Sequence, residues 1–380
     1  MKVLSITVML VFAISTSVIG QLHNHIIAYY PLDGDGTDLS GHCLNGTVYG
    51  ATAAKGVDGT HLTAMQFDGV DDYIEIDPHP SFNFSEKENF SISFWFKVDS
   101  KQADLDTTDN DLLSKWVIND NDESHLRYGY PFTFRIFNDK SHDKGNLIAA
   151  QFGGYNKGCG LGTTVRSKIT SDKFYHVLLN VKGGIFFLYL DGQLAQRIKN
   201  RLSCSSQNEA PLRLGKRGGL EFQNHFKGTL DELVIIDRAL THSEIAYLYS
   251  APTDLGFKIE TARHQLVKTD TLYFDDNIFQ LNARQRVDLA YVHRYLELGE
   301  SFHLVIEGHS NGLPDDDFCD ELSLKRAKVI EDYLLALGIS CTKITTKGLG
   351  KRHQISPNTT KELRKKNQRA EIKLYKTVRA

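Results

Sequence analysis

The sequence predicts a multi-domain chain, an all-β antiparallel sandwich over residues 25–250 followed by an α/β two-layer unit over 267–380. Three observations carry this. In the first stretch, short runs of alternating apolar and polar residues are separated by Gly, Asp and Asn, the pattern of half-buried strands joined by turns. Beyond about Val267 the periodicity changes to strand, helix, strand, helix, strand, which argues for helices packed on a sheet. Between the two, Ser250-Ala251-Pro252-Thr253-Asp254-Leu255-Gly256 breaks both patterns, so residues 251–266 read as a short linker. A length of 380 residues with 41% hydrophobic composition suits two domains, and a net charge of −3 is that of an ordinary soluble protein.

The N-terminus reads differently. Lys2 precedes an apolar run from Ile6 to Ile14, and small and polar residues follow through Val18-Ile19-Gly20. This predicts a secretory signal peptide over residues 1–20. The run falls short of the ~20 apolar residues of a spanning helix. No cysteine follows it, which argues against a lipid anchor. The expected product is exported, and soluble or peripherally attached. Five cysteines, Cys43, Cys159, Cys204, Cys319 and Cys341, leave an odd thiol. Cys159 with Cys204 is the preferred pair. Cys319 and Cys341 flank a predicted helix about 24 Å long, whereas bridged Cα atoms lie within about 7 Å, so that bridge is not expected.

In the first domain, Ile26–Tyr30, Tyr73–Ile76, Ser91–Phe96 and Tyr175–Val181 read as strands. Thr241-His242-Ser243-Glu244-Ile245 reads as the start of a brief capped helix. Tyr30-Pro31-Leu32-Asp33-Gly34 with Asp38-Leu39-Ser40-Gly41 resembles the first strand of a laminin G-like, concanavalin A-like jelly roll. Phe67-Asp68-Gly69-Val70-Asp71-Asp72-Tyr73, Leu188-Tyr189-Leu190-Asp191-Gly192 and Gly228-Thr229-Leu230-Asp231-Glu232-Leu233 resemble later strands of that family. The resemblance places Asp38 and Asp231 where relatives often hold a structural calcium; the alternative is turn aspartates capping their own backbone. The acidic stretch from Asp104 to Glu123 reads as a solvated loop. Trp95 lies within an apolar alternation and is expected in the core, whereas Trp116 could equally stack on a sugar. A glycosidase needs two carboxylates flanking one bond, and the ExDxxE strand of retaining jelly-roll enzymes is not found. Glu232 and Asp237 are odd-spaced, on opposite strand faces. GxSxG, HExxH and Walker patterns are absent too. No reaction is expected.

In the second domain, Thr271–Phe274 reads as a strand and Asn282 as the N-cap of a helix burying Leu289, Val292 and Leu296. Phe302, Leu304 and Ile306 alternate in a second strand. Ser323 reads as the cap of a second helix with the stripe Ala327, Ile330, Leu334 and Leu337, ended by Gly338. A last helix and strand cover Lys361–Tyr375.

Gly308-His309-Ser310-Asn311 with Leu322-Ser323-Leu324-Lys325-Arg326-Ala327 resembles the core of the OmpA-like peptidoglycan-binding domain, where a GHTD turn and an LSxxRA helix start form the pocket. Phe274-Asp275-Asp276-Asn277, Gly348-Leu349-Gly350 and Arg364-Lys365-Lys366-Asn367-Gln368-Arg369 are similar to its FDxN, GxG and RxxNRR elements, with Gln368 substituted. The resemblance implies binding of a diaminopimelate-type stem peptide by Asp275, Asp276, Asn311, Arg326 and Arg369. In the family the aspartate takes the ammonium and the arginine the carboxylate. Here Asn311 stands at the aspartate position, which removes a charge. With Ser323 as cap, Arg326 would sit at N3, unfavourable for a cation by ~0.3–1 kcal/mol and reversed in sign by a bound carboxylate. The combined expectation is an exported envelope protein of a Gram-negative bacterium, periplasmic or outer membrane-associated. It would hold peptidoglycan non-covalently and present the jelly roll to a glycan or protein. The alternative is a secreted lectin or adhesin whose second domain is a degenerate scaffold. Nucleic acid is not an expected partner.

Overall fold

The structure, a computed structural model, describes residues 22–85, 87–99, 110–116, 128–138, 146–155, 163–201, 207–218, 225–251, 255, 263–297, 302–311 and 316–378. The expected signal peptide, Cys159, Cys204 and most of the acidic stretch and linker lie outside these residues. Contacts divide the chain into two units, Met1–Phe257 and Lys258–Ala380.

The first unit contains β1 (Ile26–Tyr30), β2 (Gly46–Tyr49), β3 (Thr52–Ala54), β4 (Ala64–Asp68), β5 (Tyr73–Ile76), β6 (Phe90–Val98), β7 (Asn110–Ser114) and β8 (Tyr128–Asn138). It continues with β9 (Asn146–Tyr155), β10 (Thr163–Lys168), β11 (Phe174–Lys182), β12 (Ile185–Leu190), β13 (Gln193–Lys199), β14 (Leu212–Leu214), β15 (Lys227–Ile236) and α1 (His242–Ser250). Two antiparallel sheets result. One runs β13-β12-β11-β6-β15-β4-β3 with β1 also on β15; the other runs β10-β9-β8-β7-β14-β5-β2. One core lies between them, from Tyr30, Phe67, Phe90, Phe94 and Phe96 to Phe132, Phe134, Phe152 and Leu212. Aromatic rings dominate it because each buries a large area at few rotatable bonds.

The central strand β6 is buried on both faces, and α1 explains why. Its Ile245 and Leu248 cover the outer side of the first sheet over Tyr29, Leu178, Val234 and Ile236. Thr241 and Glu244 form the reciprocal capping box that starts the helix. Trp95 lies on this outer side, 8% exposed and stacked on Tyr249 at 5.6 Å. The expected solvated acidic loop holds strand β7 instead. Its Asp111 is buried and receives bidentate hydrogen bonds from Arg217, with Arg135 at 3.7 Å. Trp116 lies between the same two arginines at 5.5 and 5.4 Å.

The second unit contains β16 (Arg263–Tyr273), α2 (Ala283–Glu297), β17 (Phe302–Gly308), α3 (Asp316–Ala336), β18 (Ile344–Gly348), α4 (Lys361–Asn367) and β19 (Arg369–Val378). Its sheet runs β16-β19-β17-β18, with only β17 and β18 parallel. Leu272, Leu304, Ile306, Ile344, Ile372 and Leu374 face Leu289, Val292, Ala327, Ile330 and Leu334 of the helices. Asn282 and Gln285 cap α2 reciprocally. Gly338, at φ +90°, ends α3 as expected, with Ile339 N–H donating to Leu334 O. The side chain of Leu296 lies outside the described residues.

Four expectations change. Strand β16 begins at Arg263, inside the expected linker. Strand β18 was not anticipated, because Ile-Thr-Thr-Lys-Gly carries too short an alternation. Leu337 is 38% exposed, outside the stripe. Helix α3 starts at Asp316, so Ser323 is interior; its hydroxyl donates back to Asp320 O and accepts from Gly350 N. Arg326 is therefore not at N3, and the helix-end electrostatic argument falls.

Candidate functional site

In the second unit the turns after β16 and β17, helix α3 and the start of β19 meet at Arg326. The meeting is close. A Cβ on Gly308 would sit 1.7 Å from Ser323 O, and one on Gly348 2.8 Å from Leu324 Cβ. Only glycine permits strand ends to lie this near a helix backbone. Three turns of sequence are thereby brought onto one side chain.

Arg326 is fully buried. Its Nε donates to Ile278 O (2.9 Å), one terminal nitrogen to His309 O (2.9 Å), and the other to Asp275 O (3.0 Å) and Gln368 Oε1 (2.9 Å). The guanidinium also lies 5.3 Å from the Phe274 ring centre. Burial pulls its pKa down to about 10, opposed by Asp276. Four of five donors are thus spent on the protein itself. The side chain expected to greet a ligand carboxylate instead ties the mouth together.

Gln368 stands out in the sequence as a substitution, but its role at the site is seen only in the structure. It accepts from Arg326 and donates to Asp276 Oδ1, linking a buried cation to a rim carboxylate. Its departure from the family pattern was the available clue. Asp275, expected at the site, is at the rim. Its exposed side chain receives Lys365 Nζ at 2.8 Å, which holds its pKa low and that of Lys365 high. Asn311 joins through its carbonyl, which accepts from Asn358; Asn358 in turn accepts from Asn367. Arg369 does not join. Gln368 is the C-cap of α4 and turns to Arg326, whereas Arg369, the first residue of β19, goes to Glu371 (2.6 Å) and His353 O (3.2 Å). Asp315 lies outside the described residues, as do the side chains of Asp316 and Asp317.

In the first unit, Asp38 has no oxygen to spare. Oδ1 accepts from Tyr29 N and Ser40 N, and Oδ2 from Leu44 N and Ser40 Oγ. It is the turn aspartate of the second reading. Asp231 differs: Oδ2 accepts from Val57 N, but Oδ1 is buried without a partner. Burial, then Asp33 and Asp58, push its pKa up to about 8. Burial and the carboxylates of Asp231, Asp33 and Asp58 push Glu232 up to about 9, against the hydrogen bond from Tyr29 Oη at 2.6 Å. Leu32 and Glu232 both hold left-handed backbones, at φ 62° and 53°, a strain that concentrates at functional positions. An orphaned carboxylate oxygen among mutually repelling acids suits a hard cation. Asp33 and Asp58 act on Asp231 through their charge, and among the described residues these three do not form a close group of metal-ligating atoms.

Residues 68–246 match the family model of the concanavalin A-like lectin/glucanases superfamily, and residues 273–368 that of the OmpA family. The putative lipoprotein YfiB of Escherichia coli (strain K12) is 27% identical over 124 residues, 32% of this chain and 78% of YfiB. The peptidoglycan-binding protein ArfA of Mycobacterium tuberculosis is 39% identical over 69 residues, 18% of this chain and 21% of ArfA. The chain thus spans about a fifth of ArfA's length. The binding domain of Paraclostridial Mosquitocidal Protein 1 aligns with a TM-score of 0.47 at 17% identity, over 68% of this chain and 60% of that one. Both resemblances drawn from the sequence are found, in the same order along the chain.

Proposed function

We propose that this chain is an exported cell-envelope protein of a Gram-negative bacterium that binds peptidoglycan non-covalently through its second unit. The OmpA-family match and the likeness to a protein named for peptidoglycan binding support this reading. The geometry carrying it is the rim above Arg326, where exposed Asp275 and Lys365 stand paired beside Asp276. The free end of a diaminopimelate stem has an ammonium and a carboxylate on one carbon. Such a zwitterion can exchange with an exposed ion pair at little loss, because solvent screens that pair. Asp275 and Asp276 would take the ammonium and Lys365 the carboxylate, with Arg326 and Gln368 holding the turns in place. Among the described residues no helix is long and apolar enough to cross a membrane. The role is a binding one, and no reaction is assigned.

The first unit is proposed to contact a glycan or protein, with calcium held at Asp231. The orphaned Asp231 Oδ1 favours this. The ion would neutralise the cluster and fix the loops at that end of the sandwich.

Calorimetric titration of the full chain with a diaminopimelate-containing stem peptide tests the main reading. Asp276→Asn and Lys365→Ala are each expected to weaken binding about tenfold, the scale of one charge-assisted hydrogen bond of ~1.5–3 kcal/mol. Unchanged affinity in both variants would show that the rim is not the site.

A further inference from the structure

On the sheet face away from the helices, Glu307 of β17 lies directly opposite Glu371 of β19. Like charges across a strand pair repel, and here Lys373 Nζ lies between the two carboxylates. Just beyond β17, His309 Nε2 stands 3.9 Å from Glu371 Oε1. One donor atom from each of Glu307, His309 and Glu371 lies within 4.8 Å of the others. His309 is 2% exposed, and neither ring nitrogen has a hydrogen-bond partner. A buried imidazole with both nitrogens unsatisfied is costly. Burial, then Arg369, disfavour the charged imidazolium.

We propose that Glu307, His309 and Glu371 form a binding site for a divalent first-row transition ion such as Zn2+. One imidazole with two carboxylates is a borderline donor set, suited to such ions. Calcium, which takes six to eight oxygens, fits poorly. The ion would meet the orphaned nitrogen and the opposed carboxylates together. Two cations already touch the cluster. Arg369 holds Glu371 Oε1 at 2.6 Å, and Lys373 Nζ reaches Glu307 at 2.5 Å and Glu371 Oε2 at 3.5 Å. Lys373 is long, flexible and 22% exposed at its side chain, so it can swing out as the ion enters. It is the internal competitor for the site. His309 O accepts from Arg326, so an ion on the ring would brace the turn that carries Asn311. The site stands independently of what the mouth binds.

The test is Zn2+ binding to the metal-stripped full chain by competition with a chromophoric chelator, with Co2+ absorption reporting the ligand set. One equivalent is expected. Lys373→Met should tighten binding about tenfold or more, and His309→Gln and Glu371→Gln should weaken it by at least as much. Lys373→Met removes a partly exposed side chain and is expected to fold, which circular dichroism checks. Absence of binding in both the parent and Lys373→Met would overturn the proposal. So would Zn2+ affinity indifferent to His309→Gln and Glu371→Gln in folded protein, since the ion would then sit elsewhere.

Discussion

Replacing Arg326 with methionine separates a structural hub from a ligand-reading side chain. The change keeps much of the stem and removes the guanidinium, stranding four acceptors: Ile278 O, Asp275 O, His309 O and Gln368 Oε1. The bonds to Ile278 and Asp275 are partly exposed, so water can replace them. Those to His309 and Gln368 are buried. Two buried orphans at ~1–3 kcal/mol each give about 2–6 kcal/mol. Relief from burying a cation offsets part of this, leaving about 3 kcal/mol. That is a large fraction of the ~5–15 kcal/mol that holds a domain together. For a unit of this size it lowers the melting temperature by roughly 10–15 °C. Differential scanning calorimetry of the full chain reads the shift. A shift under about 3 °C in the second unit would refute the hub, and an accompanying loss of sacculus binding would restore Arg326 as a ligand group.

Two further outcomes follow from the same structure. In chelator, the folded sandwich holds protons on Asp231 and Glu232 more tightly than the unfolded chain does, because their pKa values are raised to about 8 and 9. Its stability should fall as pH rises from about 4 to about 9, then level off. Urea midpoints with added calcium should lose that slope, and Asp231→Asn should abolish the calcium response while stabilising the metal-free form; equal slopes with and without calcium would exclude the ion. Gly308→Ala drives a Cβ to 1.7 Å from Ser323 O and should destabilise the second unit by about 3 kcal/mol or more, read as an early urea transition; a near-neutral effect would mean that α3 does not lie on the strand end.

Much of the fold was legible because burial imposes a period. The strands around Ile26, Tyr73, Ser91 and Tyr175, the Thr241 capping box and the Asn282 cap are all local patterns, and the structure has them. The start of α3 was not local in this sense. Ser323 looks like a cap, but it is also a residue that bonds back to the preceding turn. Sequence alone cannot separate those uses. Asp38 and Asp231 were paired because both stand at family positions. Which acids crowd Asp231 depends instead on the loops carrying Asp33 and Asp58. Spacing identified Arg326 as special yet not its duty, since an arginine that reads a ligand and one that ties three turns look alike in sequence. Gln368 shows the reverse: a departure visible in the sequence gave no hint that it links Arg326 to Asp276.

The central claim is that the second unit binds the cell wall. Co-sedimentation of the full chain with purified diaminopimelate-type sacculi tests it most directly, with Asn311→Asp as the sensitised variant. The parent should pellet with the sacculi, and Asn311→Asp should pellet at roughly tenfold lower sacculus concentration, since the restored charge strengthens an ammonium contact by about 1.5 kcal/mol. If both proteins remain in the supernatant at low ionic strength, the wall-binding account is wrong.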